Sequence, residues 1–386
     1  MEIVAPITTA SRQALAALHP EPLRAAEIAS SSDPRYRRFV TAHPQAVVFH
    51  YPEWLQVLER EYRGRSLILA SEDGSGELAG VLPLFYTRGM PAGLAAFGGP
   101  MGGRRLSSLP RTPVAGPLAL HSSATAVLLQ AAVDRASSEP GTRLEIKTVH
   151  PLQSASPLTV WPWRVFYTLE LPPRPAEIRF GNSNKHSQIK RGVDKAIRQG
   201  LRPALAESEA DLAAWYAVYA RTMQRNQVMM RSWRLFKAIW DVLRPRDLMR
   251  LWLAKRNGKV VAGVLVVGAR EGAGTAFFAF GGWIEEPEYA HANDLLHWEA
   301  IHEACRLGYR SYDFGEVPEG DAGLAQFKGK WNTRASRLER YYFPQPPPPV
   351  AAEPSRPGFR GLAKAAWERM PNLAARRLSD WLYGYL

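Results

Sequence analysis

LMRLWLAKRNGKVVAGVLVVGA, residues 248–269, is the stretch from which the fold can be worked out. Two apolar runs flank Asn257-Gly258, a dipeptide that favours the tight turn of a β-hairpin. A third strand is predicted at TAFFAFGGW (275–283), a helix at ANDLLHWEAIHEACRLG (292–308) and a last strand at SYDFG (311–315). The unit is therefore a hairpin, a strand, a helix and a strand.

The same order of elements occurs earlier in the chain. SLILAS (66–71) and ELAGVLPLFY (77–86) form a predicted hairpin, and LAAFGG (94–99) is a predicted strand. ATAVLLQAAVDRAS (124–137) is a predicted helix, and RLEIKTV (143–149) a predicted strand. The two units are offset by roughly 170–180 residues, which indicates an internal duplication.

The bulk composition limits the classes of partner and compartment. The 386 residues suffice for two or three domains, and the 49 Lys and Arg exceed the 36 Asp and Glu, giving a formal charge of +13. This excess favours nucleic acid, anionic lipid or phosphorylated substrates, although a generally basic solvated surface would have the same composition. Cys305 is the single cysteine, so an internal disulfide or a Cys-based zinc site is excluded. The N-terminus does not have the pattern of a signal peptide, and no apolar run is long enough to span a membrane. We therefore expect a cytoplasmic protein, at most peripheral at the inner face of the cell membrane.

A strongly basic segment, NSNKHSQIKRGVDKAIRQGLR (182–202), lies between the repeats. Arg191 and Lys195 are four residues apart on a predicted helix, so they project to one face and could grip a diphosphate. The alternative is a solvated basic helix face. Lys190 belongs to the same cluster, and Asp194 is the acidic residue within it.

The C-terminal part changes character after residue 343. A proline-rich stretch is followed by FRGLAKAAWERMPNLAARRLSDWLYGYL, which is basic and amphipathic. This last segment either contacts a membrane interface or packs back on the main body. The predicted division of the chain is 1–170 for a first domain, 171–205 for a basic linker, 206–344 for a second domain, 345–357 for a proline-rich linker and 358–386 for the C-terminal segment.

The arrangement resembles tandem GNAT-fold proteins of the FemAB type. The resemblance lies in the basic segment NKHSQIKRGVDKAIRQGL, in the run from GKVVAGVLVVG to SYDFG, and in AQFKGKWN with its Phe-Lys pair. It implies an α/β (α+β) fold with two GNAT-like domains, in which mixed, mostly antiparallel sheets are flanked by helices. It also implies transfer of an aminoacyl group to an amine of a cell-wall precursor. Asp194 stands where the family usually has a basic residue.

The Phe-Lys pair supplies the first candidate catalytic group. Acyl transfer to an amine passes through a tetrahedral oxyanion, which a nearby cation stabilises. The resemblance assigns that role to Lys328, with Phe327 positioning the acyl group. We expect Phe327 and Trp331 to hold the lysine stem, on a segment reached through a glycine-rich loop. A surface lysine with a partly covered stem is the alternative.

The group that takes the proton from the acceptor amine is harder to assign. Asp313, Glu316 and Glu319 surround the strand end, and each could act as a base or be a solvated loop carboxylate. Asp313 is the preferred candidate. Tyr312, Trp331 and Asn293 are candidates for substrate contact, and Asn293 could equally be a helix cap.

These residues predict an N-acyltransferase acting on a phosphorylated or lipid-linked envelope or polysaccharide precursor. Aminoacyl-tRNA is the favoured donor substrate, an acyl-CoA or other acyl thioester is possible, and no cofactor is implied. Two alternatives stay open: an acyl-CoA-dependent GNAT enzyme, and a non-catalytic GNAT pair that recruits partners in an exopolysaccharide or exosortase system. No histidine pattern suits a metal, since His297 and His302 are five residues apart on a helix.

Overall fold

The computed structural model describes residues 22–88, 104–148, 151–152, 157–345, 370 and 372–382. The elements of the first half run in the following order: β1 (Arg24–Ile28), α1 (Pro34–Ala42), α2 (Pro52–Tyr62), β2 (Ser66–Glu72), β3 (Leu78–Arg88), β4 (Arg104–Ser107), β5 (Leu118–Ala119), α3 (Ser122–Ser137), β6 (Thr142–Thr148) and β7 (Thr159–Glu170).

The second half begins with the basic helix. Its elements are α4 (Ser183–Arg198), β8 (Arg202–Leu205), α5 (Glu209–Arg225), α6 (Trp233–Leu243), β9 (Met249–Arg256), β10 (Lys259–Gly268), β11 (Thr275–Trp283), α7 (Ala292–Arg306), β12 (Ser311–Val317), α8 (Ala322–Gly329) and β13 (Arg334–Phe343), followed by α9 (Asn372–Leu382). Short 3₁₀ turns are present at Val48–His50, Pro175–Glu177, Arg244–Arg246 and Pro287–Tyr289.

The thirteen described strands form one sheet. Its order is β1-β2-β3-β4-β6-β13-β7-β12-β11-β10-β9-β8, with β5 paired to β3. The pairs β4–β6 and β11–β12 are parallel, and the other neighbours are antiparallel. The mixed, mostly antiparallel sheet flanked by helices confirms the predicted fold class.

The two halves exchange strands at the centre of this sheet. β7 follows β6 along the chain but pairs with β12 of the second half, for example Thr168 with Asp313. β13 comes from the second half but pairs with β6 of the first, for example Tyr342 with Glu145. β7 and β13 also pair with each other. Each half therefore completes the sheet of the other.

Three apolar clusters stabilise this arrangement. One joins the halves through α2, α5 and α6, where α2 and α6 are in direct contact. A second packs α4 and α7 on strands β9 to β12, and a third packs α3 on β2, β3 and β6. Because the largest cluster contains side chains from both halves, their relative position is fixed by burial of apolar surface.

The hairpin, helix and strand predicted at 248–269, 292–308 and 311–315 match β9–β10, α7 and β12. In the first half, the hairpin of β2 and β3, the helix α3 and the strand β6 match the earlier repeat. The strand predicted at 94–99 lies outside the described residues. The domain boundaries stay a prediction, since the sheet continues from one half to the other.

The C-terminal helix α9 packs back on the body. It contacts α5 and α6, and Ala375 and Ser379 are buried there. The Arg376 guanidinium lies 4.6 Å from the centre of the Tyr216 ring. The C-terminal segment was expected either to contact a membrane or to pack on the main body. Residues 372–382 pack on the body, while Trp381 remains half exposed.

Candidate active site

The candidate site lies where two parallel strands part. β11 and β12 pair through three residues each, and the last pair is Phe277 with Asp313. Beyond this pair β11 continues alongside β10 while β12 continues alongside β7, so a wedge opens between them. Such a wedge leaves backbone N–H and C=O groups of both strands available to a ligand, since each needs a hydrogen-bond partner.

Gly315 brings a lysine to this wedge. The residue has φ of 78°, a conformation that favours glycine, and interrupts the regular pairing of β12 with β7. A Cβ at this position would lie 3.8 Å from Lys328 Nζ and 3.8 Å from the Phe278 carbonyl oxygen. Because glycine has no side chain, Gly315 places no side-chain atoms between the Lys328 ammonium and the space beside β11.

Lys328 lies on a short helix, α8, which begins within the glycine-rich segment that the sequence analysis expected to be a loop. The helix α8 is capped by Asp321, whose side chain accepts from the Leu324 N–H at 2.9 Å. Lys328 is in its last turn and is only 4% exposed. Its Nζ donates to the Glu316 carbonyl at 2.9 Å. It is thus a buried, directed ammonium rather than a solvated surface lysine.

The aromatic neighbours of Lys328 also lie close to a second lysine. Lys330 Nζ lies 4.5 Å from the centre of the Phe327 ring and 5.6 Å from that of Trp331. Lys330 also pairs with Asp294 at 2.5 Å. Phe327 precedes Lys330 by three residues, a spacing that places two residues on one face of a helix. That Phe327 and Trp331 hold the stem of Lys328 stays a prediction.

Burial dominates the electrostatics of Lys328. It lowers the pKa of the ammonium to about 8, against the opposing attraction of Asp313, Glu316 and Asp321. At neutral pH the group is mostly protonated. It can therefore present a positive charge in a site from which bulk water is largely excluded.

Asp313 is the buried acid of the site, 6% exposed. Its carboxylate accepts from the Gly315 N–H at 2.5 Å and from the Thr168 hydroxyl at 3.3 Å. Burial raises the pKa of Asp313 to about 6, while the Gly315 N–H and the Lys328 charge act in the other direction. The sequence analysis allowed each of these acids to be a solvated loop carboxylate. Glu319 is exposed and fits that alternative, whereas Asp313 is buried and does not.

A cavity of about 880 Å³ opens beside these groups and is lined from both halves. Asp313, Gly315 and Glu316 line it, together with apolar rings such as Phe49, Trp54, Trp163, Phe166, Phe277, Phe278 and Phe280. The cavity is therefore large enough for a drug-sized ligand and combines apolar walls with a few polar groups, as binding sites do.

The charged lining of the cavity was not found from the sequence. Its described cations outnumber its acids: Arg105, Lys147, Arg111, Arg164, Arg334 and Arg340 face Glu170, Asp313 and Glu316. Glu145 is buried behind them and binds Arg105 and Arg340. Burial alone would raise the pKa of Glu145, but the charges of Lys147, Arg105 and Arg340 lower it to about 2.

Lys147 fixes one wall of the cavity. Its buried Nζ donates to the carbonyls of Leu109 at 2.5 Å and Thr112 at 3.2 Å. Burial lowers the pKa of Lys147 to about 7, although Glu145 raises it. The segment that Lys147 holds has positive φ at Leu109 and Arg111, which is unusual for residues with side chains.

Three predicted substrate-contact residues lie elsewhere. Tyr312 is fully buried, and its hydroxyl is 3.1 Å from His297 Nδ1. Trp331 is fully buried in the aromatic cluster around His297. Asn293 is half-buried in the first turn of α7, but the cap residue is His291. Tyr312 and Trp331 belong to the core behind the wedge, since both are packed against apolar neighbours.

The basic helix α4 presents its charges outward. Ile189, Gly192, Val193 and Ala196 face the body, and Lys190, Arg191 and Lys195 are exposed. None of these three cations lines the described part of the cavity. The helix packs on α7, and Gly192 lies against His291 and Asp294 at the start of that helix. The predicted phosphate cluster therefore lies outside the described lining of the cavity.

The described residues contain neither a metal-binding cluster nor a membrane-spanning helix. Among the residues whose placement is described, no group of three His, Cys, Asp or Glu side chains is arranged to hold a metal ion. Within the same ranges, no helix is both long and apolar enough to cross a bilayer.

Comparison with known proteins identifies the class. The family model described as an acetyltransferase (GNAT) domain matches residues 183–329, which contain the wedge and Lys328. The structure of FemX superimposes with a TM-score of 0.59 at 14% identity, over 81% of this chain and 96% of that one. Residues 183–329 are therefore similar to an acetyltransferase (GNAT) domain, and the chain shares the fold of FemX, in agreement with the resemblance predicted from the sequence.

Two other solved structures share the fold. The C-terminal domain of a putative lysylphosphatidylglycerol synthetase from Agrobacterium fabrum has a TM-score of 0.51 at 12% identity, covering 74% of this chain and 86% of that one. L-PGS from Bacillus licheniformis has a TM-score of 0.51 at 11% identity, covering 89% and 99%. No curated protein matches the sequence significantly.

Proposed function

We propose that the chain is an N-acyltransferase that moves an aminoacyl or acyl group to an amine of a cell-envelope or polysaccharide precursor. The observation that carries the proposal is the Lys328 ammonium, held behind Gly315 where β11 and β12 part. The Asp313 carboxylate lies beside it on the cavity wall. A cation and a base at one strand divergence are what acyl transfer to an amine requires.

The roles follow from the two charges. Lys328 carries three N–H groups, of which the Glu316 carbonyl accepts one, so the ammonium can also donate to a developing oxyanion. Asp313 takes a proton from the acceptor amine, since its pKa of about 6 leaves it ionised at neutral pH. Phe327, half-buried beside Lys328, positions the acyl group.

The donor in this proposal is aminoacyl-tRNA. FemX and the lysylphosphatidylglycerol synthetase domain share the fold, and the exposed cations of α4 suit a phosphate backbone. In the same proposal Lys190, Arg191 and Lys195 hold phosphates of either substrate, and the acceptor occupies the cavity between the halves. The acceptor is phosphorylated or lipid-linked, and the protein works in the cytoplasm, reaching a membrane-bound acceptor through peripheral contact of 358–386.

The test is single-turnover transfer with purified protein and extracted envelope precursors as acceptors. Charged total tRNA and a panel of acyl-CoA thioesters are offered separately to the wild type, to Lys328→Met and to the control Lys259→Met, which replaces an exposed lysine at the start of β10. Loss of acyl groups from tRNA that requires Lys328 and not Lys259 supports the proposal. Transfer from acyl-CoA alone would favour the acyl-CoA-dependent enzyme, and no transfer from either donor would favour a non-catalytic GNAT pair.

A further inference from the structure

The carboxylate of Glu316 is held by groups from the exchanged strands. Trp163 Nε1 donates to Glu316 Oε2 at 3.1 Å, and the Arg164 guanidinium lies 3.7 Å from the same oxygen. Arg340 lies 3.8 Å from Glu316 Oε1. Trp163 and Arg164 are on β7, and Arg340 is on β13. The second half's Glu316 is thus fixed from strands that cross between the halves.

Arg340 is in turn fixed by the first half. Its guanidinium donates to Glu145 Oε1 at 2.6 Å, and its centre lies 3.5 Å from that of the Trp163 ring. Glu145 is fully buried, and the side chain of Arg340 is only 13% exposed. A guanidinium with five N–H groups in a rigid plane can serve two carboxylates and an aromatic face together.

The same residue, Glu316, also holds Lys328 through its backbone carbonyl at 2.9 Å. We propose that Arg340 and Glu316 are positioning residues, through which Glu145 in the first half sets the place of Lys328 in the second. The link runs from the Glu145 carboxylate to the Arg340 guanidinium, to the Glu316 carboxylate, and through the Glu316 main chain to Lys328 Nζ. The catalytic purpose of the link rests on the proposed function; the link itself does not.

Through this link the first half contributes to the reaction, although its carboxylate, Glu145, is unsuited to acid–base catalysis. Glu145 is locked by two arginines and a nearby lysine, so it stays ionised. Arg340 contacts both this ionised carboxylate and that of Glu316 beside the wedge, so it connects the two. A displacement of about 1 Å in a reacting group can reduce a rate about a hundredfold, so small changes at Arg340 matter at Lys328.

The test measures Lys328 directly. Competitive labelling of lysine amines with acetic anhydride across pH 6 to 10, followed by peptide mass spectrometry, gives a midpoint and a limiting rate for Lys328. The charged groups that act on its amine are Asp313, Glu316 and Asp321, and the charges of Lys328 and Lys330 in turn act on the buried His297. The variants are Arg340→Gln, Arg340→Lys, Glu316→Gln and, as the matched control on the same strand, Arg337→Gln, whose residue is exposed.

Glu316→Gln keeps the shape of the side chain and an oxygen for Trp163, and it is expected to lower the labelling midpoint of Lys328 because one stabilising negative charge is gone. Arg340→Gln is expected to raise the limiting labelling rate about fivefold, because Glu316 loses the guanidinium that lies 3.8 Å from its carboxylate, and loss of one such ion pair corresponds to a change of about this size. Arg340→Lys keeps the charge but cannot reach both carboxylates, so it should resemble Arg340→Gln. Arg337→Gln should match the wild type.

Transfer kinetics add a second readout. In Arg340→Gln and Arg340→Lys, kcat should fall about tenfold or more with little change in KM for the donor. Labelling of Lys328 that is unchanged in folded Arg340→Gln and Glu316→Gln would overturn the link, and so would full rescue by Arg340→Lys. If the wild type transfers nothing, the labelling still decides the link, while the proposed function alone fails.

Discussion

Glu145 and Asp313 occupy matching positions in the two halves of the chain. Each is the partner of the last residue before a parallel strand pair ends, Ser107 for Glu145 and Phe277 for Asp313. Their surroundings differ, however. Arg105 and Arg340 bind the first carboxylate, whereas the second accepts from a main-chain N–H and a hydroxyl. One therefore stays ionised, and the other can exchange a proton near neutral pH.

Replacing the proposed oxyanion donor tests the centre of the site. Lys328→Met should reduce kcat for transfer about 100- to 1,000-fold, the usual loss when one such donor is removed. The fold should persist, because methionine fills the buried space without a charge to satisfy. Single-turnover transfer and circular dichroism check this pair of expectations. Wild-type kcat in a folded Lys328→Met protein would contradict the assignment.

The pH dependence should be bell-shaped. Asp313, with its pKa raised to about 6 by burial, must be ionised to accept a proton, so activity rises through pH 6. Lys328, with its pKa lowered to about 8 by burial, must be protonated to stabilise an oxyanion, so activity falls through pH 8. The measurement is kcat/KM from pH 5 to 10. Asp313→Asn should lack the acidic limb, and an acidic limb that survives would rule out Asp313 as the base.

Asp313→Asn should also stabilise the protein at pH 7.5. The pKa of this buried carboxyl is raised from 3.8 to about 6 in the folded state, so the folded chain binds more protons between these values. Stability therefore falls as pH rises from about 4 to about 6, by up to about 3 kcal/mol. Asparagine removes this charge but keeps an acceptor for Gly315. Urea unfolding at pH 4 and 7.5 should show a gain only at the higher pH.

Glu145→Ala should lower the free energy of unfolding by about 3–5 kcal/mol, because Arg340 and Lys147 are left buried without their common partner. The pKa of Glu145 is lowered from 4.5 to about 2 by these charges. Its stabilisation is thus present above about pH 4.5 and is lost as pH falls through 2. Unfolding measured from pH 7 to 2 checks both statements. A stability equal to that of the wild type at pH 7 would show that the network contributes little.

Charge reversal on α4 should separate the two kinds of donor. Lys190→Glu, Arg191→Glu and Lys195→Glu together should weaken binding of charged tRNA and reduce the slope of log affinity against log salt by about two or more. Binding of an acyl-CoA in the cavity should change little, because the three residues lie outside the described cavity lining. Filter binding over a salt series measures this. An unchanged slope would exclude α4 as an RNA contact.

Much of the fold could be predicted from the sequence because turn residues and helix or strand periodicity are local features of the chain. The Asn257-Gly258 turn and the periodicity of α7 depend on neighbouring residues alone. Lys328 was found through the Phe-Lys pair. The helix capped by Asp321 and the contacts of Lys330 with the Phe327 and Trp331 rings were not expected, because the sequence indicated only a glycine-rich loop before the Phe-Lys pair.

The charged network could not be predicted because it depends on long-range pairing. Glu145 and Arg340 are 195 residues apart and meet only because β13 pairs with β6. One signal was present: Arg143, Glu145 and Lys147 alternate with the apolar Leu144 and Ile146 in RLEIKTV, so the three charged residues lie on the same side of the strand. Charged residues at buried strand positions indicate buried partners, but the local sequence does not identify which residues those partners are.

The strand exchange also determines when this protein can fold. During synthesis the first half emerges with β6 complete, but its neighbour β13 is still about 190 residues from being made. Until then β6 presents an unpaired edge, and β7 has neither of its partners. Neither half contains all the strand partners that its own strands need, so we expect a chain cut in the basic segment to regain its sheet only when both fragments meet.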